Sequence, residues 1–154
     1  MTRLVTTIAL LATTCVSAQS DQFRDDPNVE QVKVVYQSFF NDFMEKDIEG
    51  IASHFSPPVM ASVNEGAAAV VLQSAAEIKT MYREAIANLQ EGYKYSKIDR
   101  LDVSRVTESL YYADVDYTRY NANDEVLSSG RVLYFLSNAS GQWKMFFVTP
   151  ATRG

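Results

Sequence analysis

The spacing of apolar residues changes once along this chain, at Tyr93, and that change limits the architectures open to it. After Tyr93 the pattern alternates. "YKYSKIDRLDVSRV", "LYYADVDYTRYN", "EVLSSGRVLYFLS" and "QWKMFFVT" each place one apolar set on one side and a mixed set on the other, as a half-buried strand requires. Turn residues separate them: Thr107-Glu108-Ser109, Asn121-Ala122-Asn123-Asp124 and Asn138-Ala139-Ser140-Gly141. Four such strands form an antiparallel meander whose apolar face needs a cover. The residues before Tyr93 supply it.

There the spacing is helical. Asp26 is placed as an N-cap and Pro27 as the first helical residue. Val29, Val32, Val35, Tyr36, Phe39, Phe40 and Phe43 then form one wide apolar face. Asp47 caps a second, short helix, "IEGIASHF", with Ile48, Ile51 and Phe55 on one side and Pro57-Pro58 expected to end it. "VMASVNEGAAAVVLQ" reads as a hairpin turning at Asn64-Glu65-Gly66. Ser74 and Glu77 form a capping box for a third helix. Ile78, Met81, Tyr82, Ala85, Ile86 and Leu89 make its buried stripe, and Gly92 is expected to stop it. Helices first and a strand meander after is an α+β order, with the helices on one face of a curved sheet.

The ends and the charge bound the function. Residues 1–18 read as an export signal: Arg3, an apolar run from Leu4 to Val16, and the small-residue ending Val16-Ser17-Ala18. The run is shorter than the roughly 20 apolar residues of a membrane span. The expected location is therefore periplasmic or secreted, with no membrane association after cleavage. Thr14 stands before Cys15 where a lipid-attachment signal needs a smaller residue, so the mature chain is expected to lack cysteine altogether. Residues 19–27 read as a flexible arm and 28–150 as one domain. The formal net charge of −5 becomes −6 once Arg3 is removed, and no basic run interrupts it, which argues against nucleic acid as a partner.

The order of helix, short helix with D-I-E-G-I-x-x-x-F, hairpin, capped helix and meander ending in "GQWKMFFV" resembles the nuclear transport factor 2-like superfamily. That group includes ketosteroid isomerases and polyketide cyclases. The resemblance runs from Val29 to Val148, and Asp47 to Ile51, Phe55 and Gly141-Gln142-Trp143 carry it. It implies a cone-shaped domain with a pocket between the helices and the concave sheet, and a homodimer formed through the sheet.

The resemblance also permits a chemical test. Ketosteroid isomerase chemistry needs a carboxylate base and an oxyanion site of tyrosine and protonated aspartic acid. Aligned on Asp47 to Ile51, the three positions fall on Val63, Phe39 and the neighbourhood of Leu133, none of which moves a proton. His54 is the one histidine, too little for a histidine–aspartate acid–base reading without a partner and too little for a metal site. No phosphate loop or nucleophile elbow appears, so no cofactor is expected. What remains is a lining. Tyr111, Ala113, Val115, Tyr117 and Arg119 share one face of their strand, and the next strand is expected to add Arg131, Leu133 and Phe135 to it. Arg119 and Arg131 either face an anion at the pocket mouth or pair with acids at the sheet end. Tyr36 and Tyr82 either place hydroxyls in the same space or serve as satisfied core residues. The opposite face, with Tyr112, Tyr120, Val132, Tyr134, Phe146 and Val148, is the expected dimer surface, unless the N-terminal arm covers it. Three functions stay open: a non-catalytic module for a small apolar or anionic ligand, a lyase- or isomerase-type enzyme using Tyr and Arg, and a structural dimer filled by Phe39, Phe43, Tyr82, Trp143 and Phe147.

Overall fold

The computed structural model describes residues 26–62 and 68–152. The export signal, Cys15, residues 19–25 of the arm, Val63 and the turn at 64–66 lie outside them.

Helix α1 spans Pro27–Glu45, and the Asp26 carboxylate accepts the Asn28 N–H at 3.0 Å. The helix begins at Pro27, the first helical position expected from the sequence. The same carboxylate accepts a hydrogen bond from the Tyr111 hydroxyl, which ties the helix start to the sheet. Lys46 ends α1 in the left-handed region, and Asp47 immediately caps α2, Ile48–Ser53, by accepting the Glu49 N–H at 3.1 Å. Gly50 fits here because a Cβ would lie 2.7 Å from both Asp42 Cγ and Asp47 Oδ2. The two helices cross at that point, and only hydrogen fits between them.

Helix α2 stops at Ser53, before the prolines expected to end it. The His54 carbonyl instead accepts the Met145 N–H at 2.9 Å, and strand β1, Phe55–Ala61, begins. Pro57 and Pro58 sit inside β1, in the stretch between Phe55 and Met60 where its ladder is irregular. A residue without an N–H is tolerated there because no ladder bond is lost. Strand β2, Val70–Leu72, pairs antiparallel with β1, as the hairpin reading requires. Helix α3, Ala75–Ala87, has Ser74 accepting the Glu77 N–H, while the Glu77 carboxylate accepts the Gln73 N–H at 2.8 Å. Asn88 caps its end; Gly92, at φ +78°, belongs to the turn into the sheet.

Strands β3 (Tyr93–Thr107), β4 (Leu110–Asn121), β5 (Val126–Ser137) and β6 (Lys144–Ala151) form the meander. The sheet order is β2-β1-β6-β5-β4-β3, antiparallel throughout except for the parallel β1–β6 pair. The helices pack on its inner face, giving the α+β cone. Val32, Ile51, Ile78, Val115, Leu136 and Met145 are fully buried between the layers. Each such side chain contributes about 1.5–3 kcal/mol of burial.

Strand β5 corrects the sequence reading. Asp116 pairs with Arg131, Asp114 with Leu133 and Tyr112 with Phe135, which puts Arg131, Leu133 and Phe135 on the outer face. Val132, Tyr134 and Leu136 take the inner one, opposite Val115, Ala113 and Tyr111. The cause is a bulge. Tyr120 pairs with Val126 but Arg119 pairs with Ser128, so Leu127 is an extra residue. One added residue in a period-two strand flips every side chain beyond it. Val132, Tyr134 and Val148 therefore leave the outer set expected for them. The outer face carries instead a row of Val71, Met60, Phe147, Phe135 and Tyr112, one from each of five strands in register. Beside the row, Arg100 binds Asp102, Asp114 and Asp116, and Arg131 binds Asp114.

Candidate ligand-binding cavity

A cavity of about 470 Å³ lies between α1, α3 and the inner face of β4, β5 and β6. Its floor is aromatic because α1 repeats an aromatic residue every three to four positions. The Phe39 ring lies 5.2 Å from that of Tyr134 and 5.8 Å from that of Tyr82, and Tyr36 sits 5.4 Å from Tyr134. Phe40 and Phe43 continue the wall along α1, and Met81 and Ala85 continue it along α3.

The tyrosines are proton holders. Burial pushes the Tyr36, Tyr82 and Tyr134 hydroxyls well above the usual phenol value. At neutral pH they are donors and acceptors without charge, unable to act as bases. Tyr82 and Tyr36, expected from the sequence, both line the cavity; Tyr134, expected on the other face, is brought in by the bulge.

Tyr117 and Arg119 also line the cavity, and their support comes from neighbouring strands. Gly130 lies opposite Tyr117, and a Cβ there would stand 2.6 Å from the Tyr117 hydroxyl oxygen, so the glycine admits the ring flat against β5. The Arg119 guanidinium stacks over that ring at 5.1 Å. Its Nη1 donates to Gln90 Oε1 at 3.2 Å, and Gln90 Nε2 donates to Ser128 Oγ at 2.7 Å. Arg119 Nε is buried and has no hydrogen-bond partner, and no carboxylate forms an ion pair with this guanidinium among the described residues.

Arg131 separates from this group. It borders the cavity, but its guanidinium grips Asp114 through two 2.7 Å hydrogen bonds on the outer face and donates to the Thr152 carbonyl at 3.1 Å. The paired-guanidinium arrangement read from sequence does not form; Arg131 follows the alternative of pairing with an acid.

Proton-moving groups lie elsewhere. His54 Nε2 contacts Asp42 Oδ2 at 2.7 Å, a pair missed in the sequence because Asp42 lies twelve positions earlier on another helix. Phe39 stands edge-on to His54 at 6.1 Å, between the pair and the cavity, and neither partner lines it. Of the positions aligned with the isomerase set, Phe39 is an apolar wall residue and Leu133 faces outward. Among the described residues the one lining carboxylate is Glu84, exposed on α3. Asp26 and Asp114 are the carboxyls held below the usual range, by the Tyr111 hydroxyl and by Arg131 respectively, and both lie outside the cavity. Among the described residues no three His, Cys, Asp or Glu side chains gather as a metal site. Trp143 and Phe147 do not fill the cavity. Trp143 packs on Tyr111 and donates to Gln31 Oε1 at 3.1 Å, and Phe147 lies in the outer row.

Solved structures share this architecture at low identity. An NTF2-like protein of unknown function from Pseudomonas putida superposes with a TM-score of 0.65 at 13% identity, covering 82% of this chain and 87% of its own. A ketosteroid isomerase-like protein from Erwinia carotovora gives 0.60 at 13%, covering 83% and 99%. A protein from Catenulispora acidiphila, solved in complex with S-DNPA, gives 0.60 at 16%, covering 79% and 91%. No curated protein matches the sequence. The family described as NTF2-like protein (DUF6841) matches residues 29–153, and this chain belongs to it.

Proposed function

We propose that this chain is an exported, non-catalytic domain that holds a small, largely apolar molecule in the cone cavity. The observation that carries the reading is a 470 Å³ aromatic space whose polar lining is tyrosines, Ser62, Asn88, Ser96, two arginines of which Arg131 is paired with Asp114, and the exposed Glu84, with no histidine and no buried carboxylate among the described residues. Its volume is within the range of about 300–1,000 Å³ common for small-molecule sites. A lyase or isomerase needs a group that takes a proton from substrate within hydrogen-bond reach. The His54–Asp42 pair is on the wrong side of Phe39 for that role. The Catenulispora protein, similar in fold, was solved in complex with S-DNPA, which supports a binding reading.

Native mass spectrometry of the mature protein from its own compartment, before and after denaturation, tests this reading. The expected result is a small molecule released intact on denaturation. A bare protein that also fails to bind small aromatic probes in titration contradicts it.

We further propose that the outer face joins two copies. The row from Val71 to Tyr112 offers apolar contacts, with Met60 and Val71 about half exposed. The adjoining Arg100 and Arg131 are already occupied by aspartates and leave few unpaired charges to desolvate. Sedimentation of wild type and Phe135→Asp checks it: dimer for the first and monomer for the second is expected, and an unchanged mass for the variant refutes it.

A further inference from the structure

We propose that the ligand carries a single carboxylate and that Arg119 is the residue that grips it. This deepens the binding reading and rests on it. A guanidinium has five N–H donors in a fixed planar fork, and its Nε–Nη2 edge matches a carboxylate with two parallel hydrogen bonds. In Arg119 the opposite nitrogen, Nη1, is spent on Gln90, and one face lies on the Tyr117 ring. Nε, on the remaining edge, is buried without a partner. A buried donor on a charged group is costly to leave unmade. The cost is removed when an acceptor in the cavity draws this edge of the guanidinium out to meet it.

Two features select a monoanion. Arg131, the second cation at this end, is committed to Asp114 on the outer face, so one positive charge faces the ligand. Glu84 lines the same cavity and disfavours a second negative charge. A phosphate monoester bearing two charges would meet one free cation, with the Glu84 carboxylate in the same cavity. Phe39, Phe40, Phe43, Met81, Val132 and Val148 supply an apolar wall that fits an aromatic or short aliphatic body.

Fluorescence titration at pH 7 with 2-naphthoate, 2-naphthamide and 2-naphthyl phosphate separates the possibilities. The three share one apolar body and differ in the polar head. The naphthoate is expected to bind about 10- to 100-fold more tightly than the amide, the range of a charge-assisted bidentate contact. The phosphate is expected to bind no more tightly than the naphthoate. In Arg119→Gln the advantage of acid over amide should vanish while amide affinity persists; Arg119→Lys should recover part of it. Equal binding of naphthoate and naphthamide to wild type overturns the carboxylate inference and leaves the cavity reading standing. Tighter binding of the phosphate overturns the monoanion choice. Binding of none of the three overturns both. The wild-type comparison decides the matter even if a variant fails to fold.

Discussion

Gly130→Ala puts the account of the cavity wall at risk. The added Cβ would stand 2.6 Å from Tyr117 Oη, 2.7 Å from Cζ and 3.1 Å from Cε1. Comfortable carbon contacts begin at about 3.5 Å, so the ring must swing by roughly 1 Å. All three atoms belong to the far part of one side chain, and the β4–β5 ladder need not move. Two stability effects then oppose each other. Alanine in a strand gains about 0.5–1 kcal/mol over glycine, and the lost stacking of Arg119 on Tyr117 costs about 0.5–1 kcal/mol. The melting temperature should change by no more than a few degrees. Ligand affinity should not escape, because Arg119 loses the platform that orients its fork. A loss of about 0.5–1 kcal/mol there corresponds to roughly a 2- to 5-fold weaker naphthoate Kd. Differential scanning calorimetry and titration of the same preparation read both numbers. A large fall in melting temperature would show that the strand, not the ring, absorbs the clash. Unchanged naphthoate affinity would show that Tyr117 does not position Arg119.

Acid should unfold the domain through the outer-face aspartates. Asp114 is held at about 2, chiefly by Arg131, against the ordinary aspartate value of 3.8, so its contribution is present above pH 4 and disappears as pH falls from about 4 to 2. Asp26, held down mainly by the Tyr111 hydroxyl, acts in the same direction. Circular dichroism against pH should show a shallower stability slope below pH 4 in Asp114→Asn, and an identical slope contradicts the assignment. Gly50→Ala should cost about 1–3 kcal/mol, since its Cβ meets the carboxylates of Asp42 and Asp47 and disturbs the His54 contact or the α2 cap. Urea unfolding measures that cost, and a change below 0.5 kcal/mol, roughly the effect of an inconsequential surface substitution, refutes it.

Local chemistry made much of the fold legible in the sequence. Asp26, Asp47 and Ser74 cap the helices they precede, and the switch at Tyr93 marks the start of β3. These signals act over four residues or fewer. What escaped depends on contacts that local signals do not encode. The bulge at Leu127 arises between two strands, and without it the inner set of β5 reads as Arg131, Leu133 and Phe135 instead of Val132, Tyr134 and Leu136. One slip therefore removed Tyr134 from the candidate site and added Arg131. An apolar count of β5 favours neither face decisively, because Leu133 and Phe135 are as hydrophobic as Val132 and Leu136. The arginine at position 131 in an otherwise apolar set was the available hint. The His54–Asp42 pair escaped because Asp42 reads as one more polar residue on α1, and Gly50, the gap that lets the helices meet, signals closeness without naming the partner. Tyr36, Tyr82, Tyr117 and Arg119 were legible because each lies on an element whose phase was set correctly.

The most direct measurement is a crystal structure of the mature protein grown with 2-naphthoate at pH 7. The account predicts the naphthalene ring against Phe39 and Phe43, with the carboxylate on the Nε–Nη2 edge of Arg119 at about 2.7–2.9 Å. A naphthoate bound elsewhere, or bound in the cavity with its carboxylate turned away from Arg119, contradicts it.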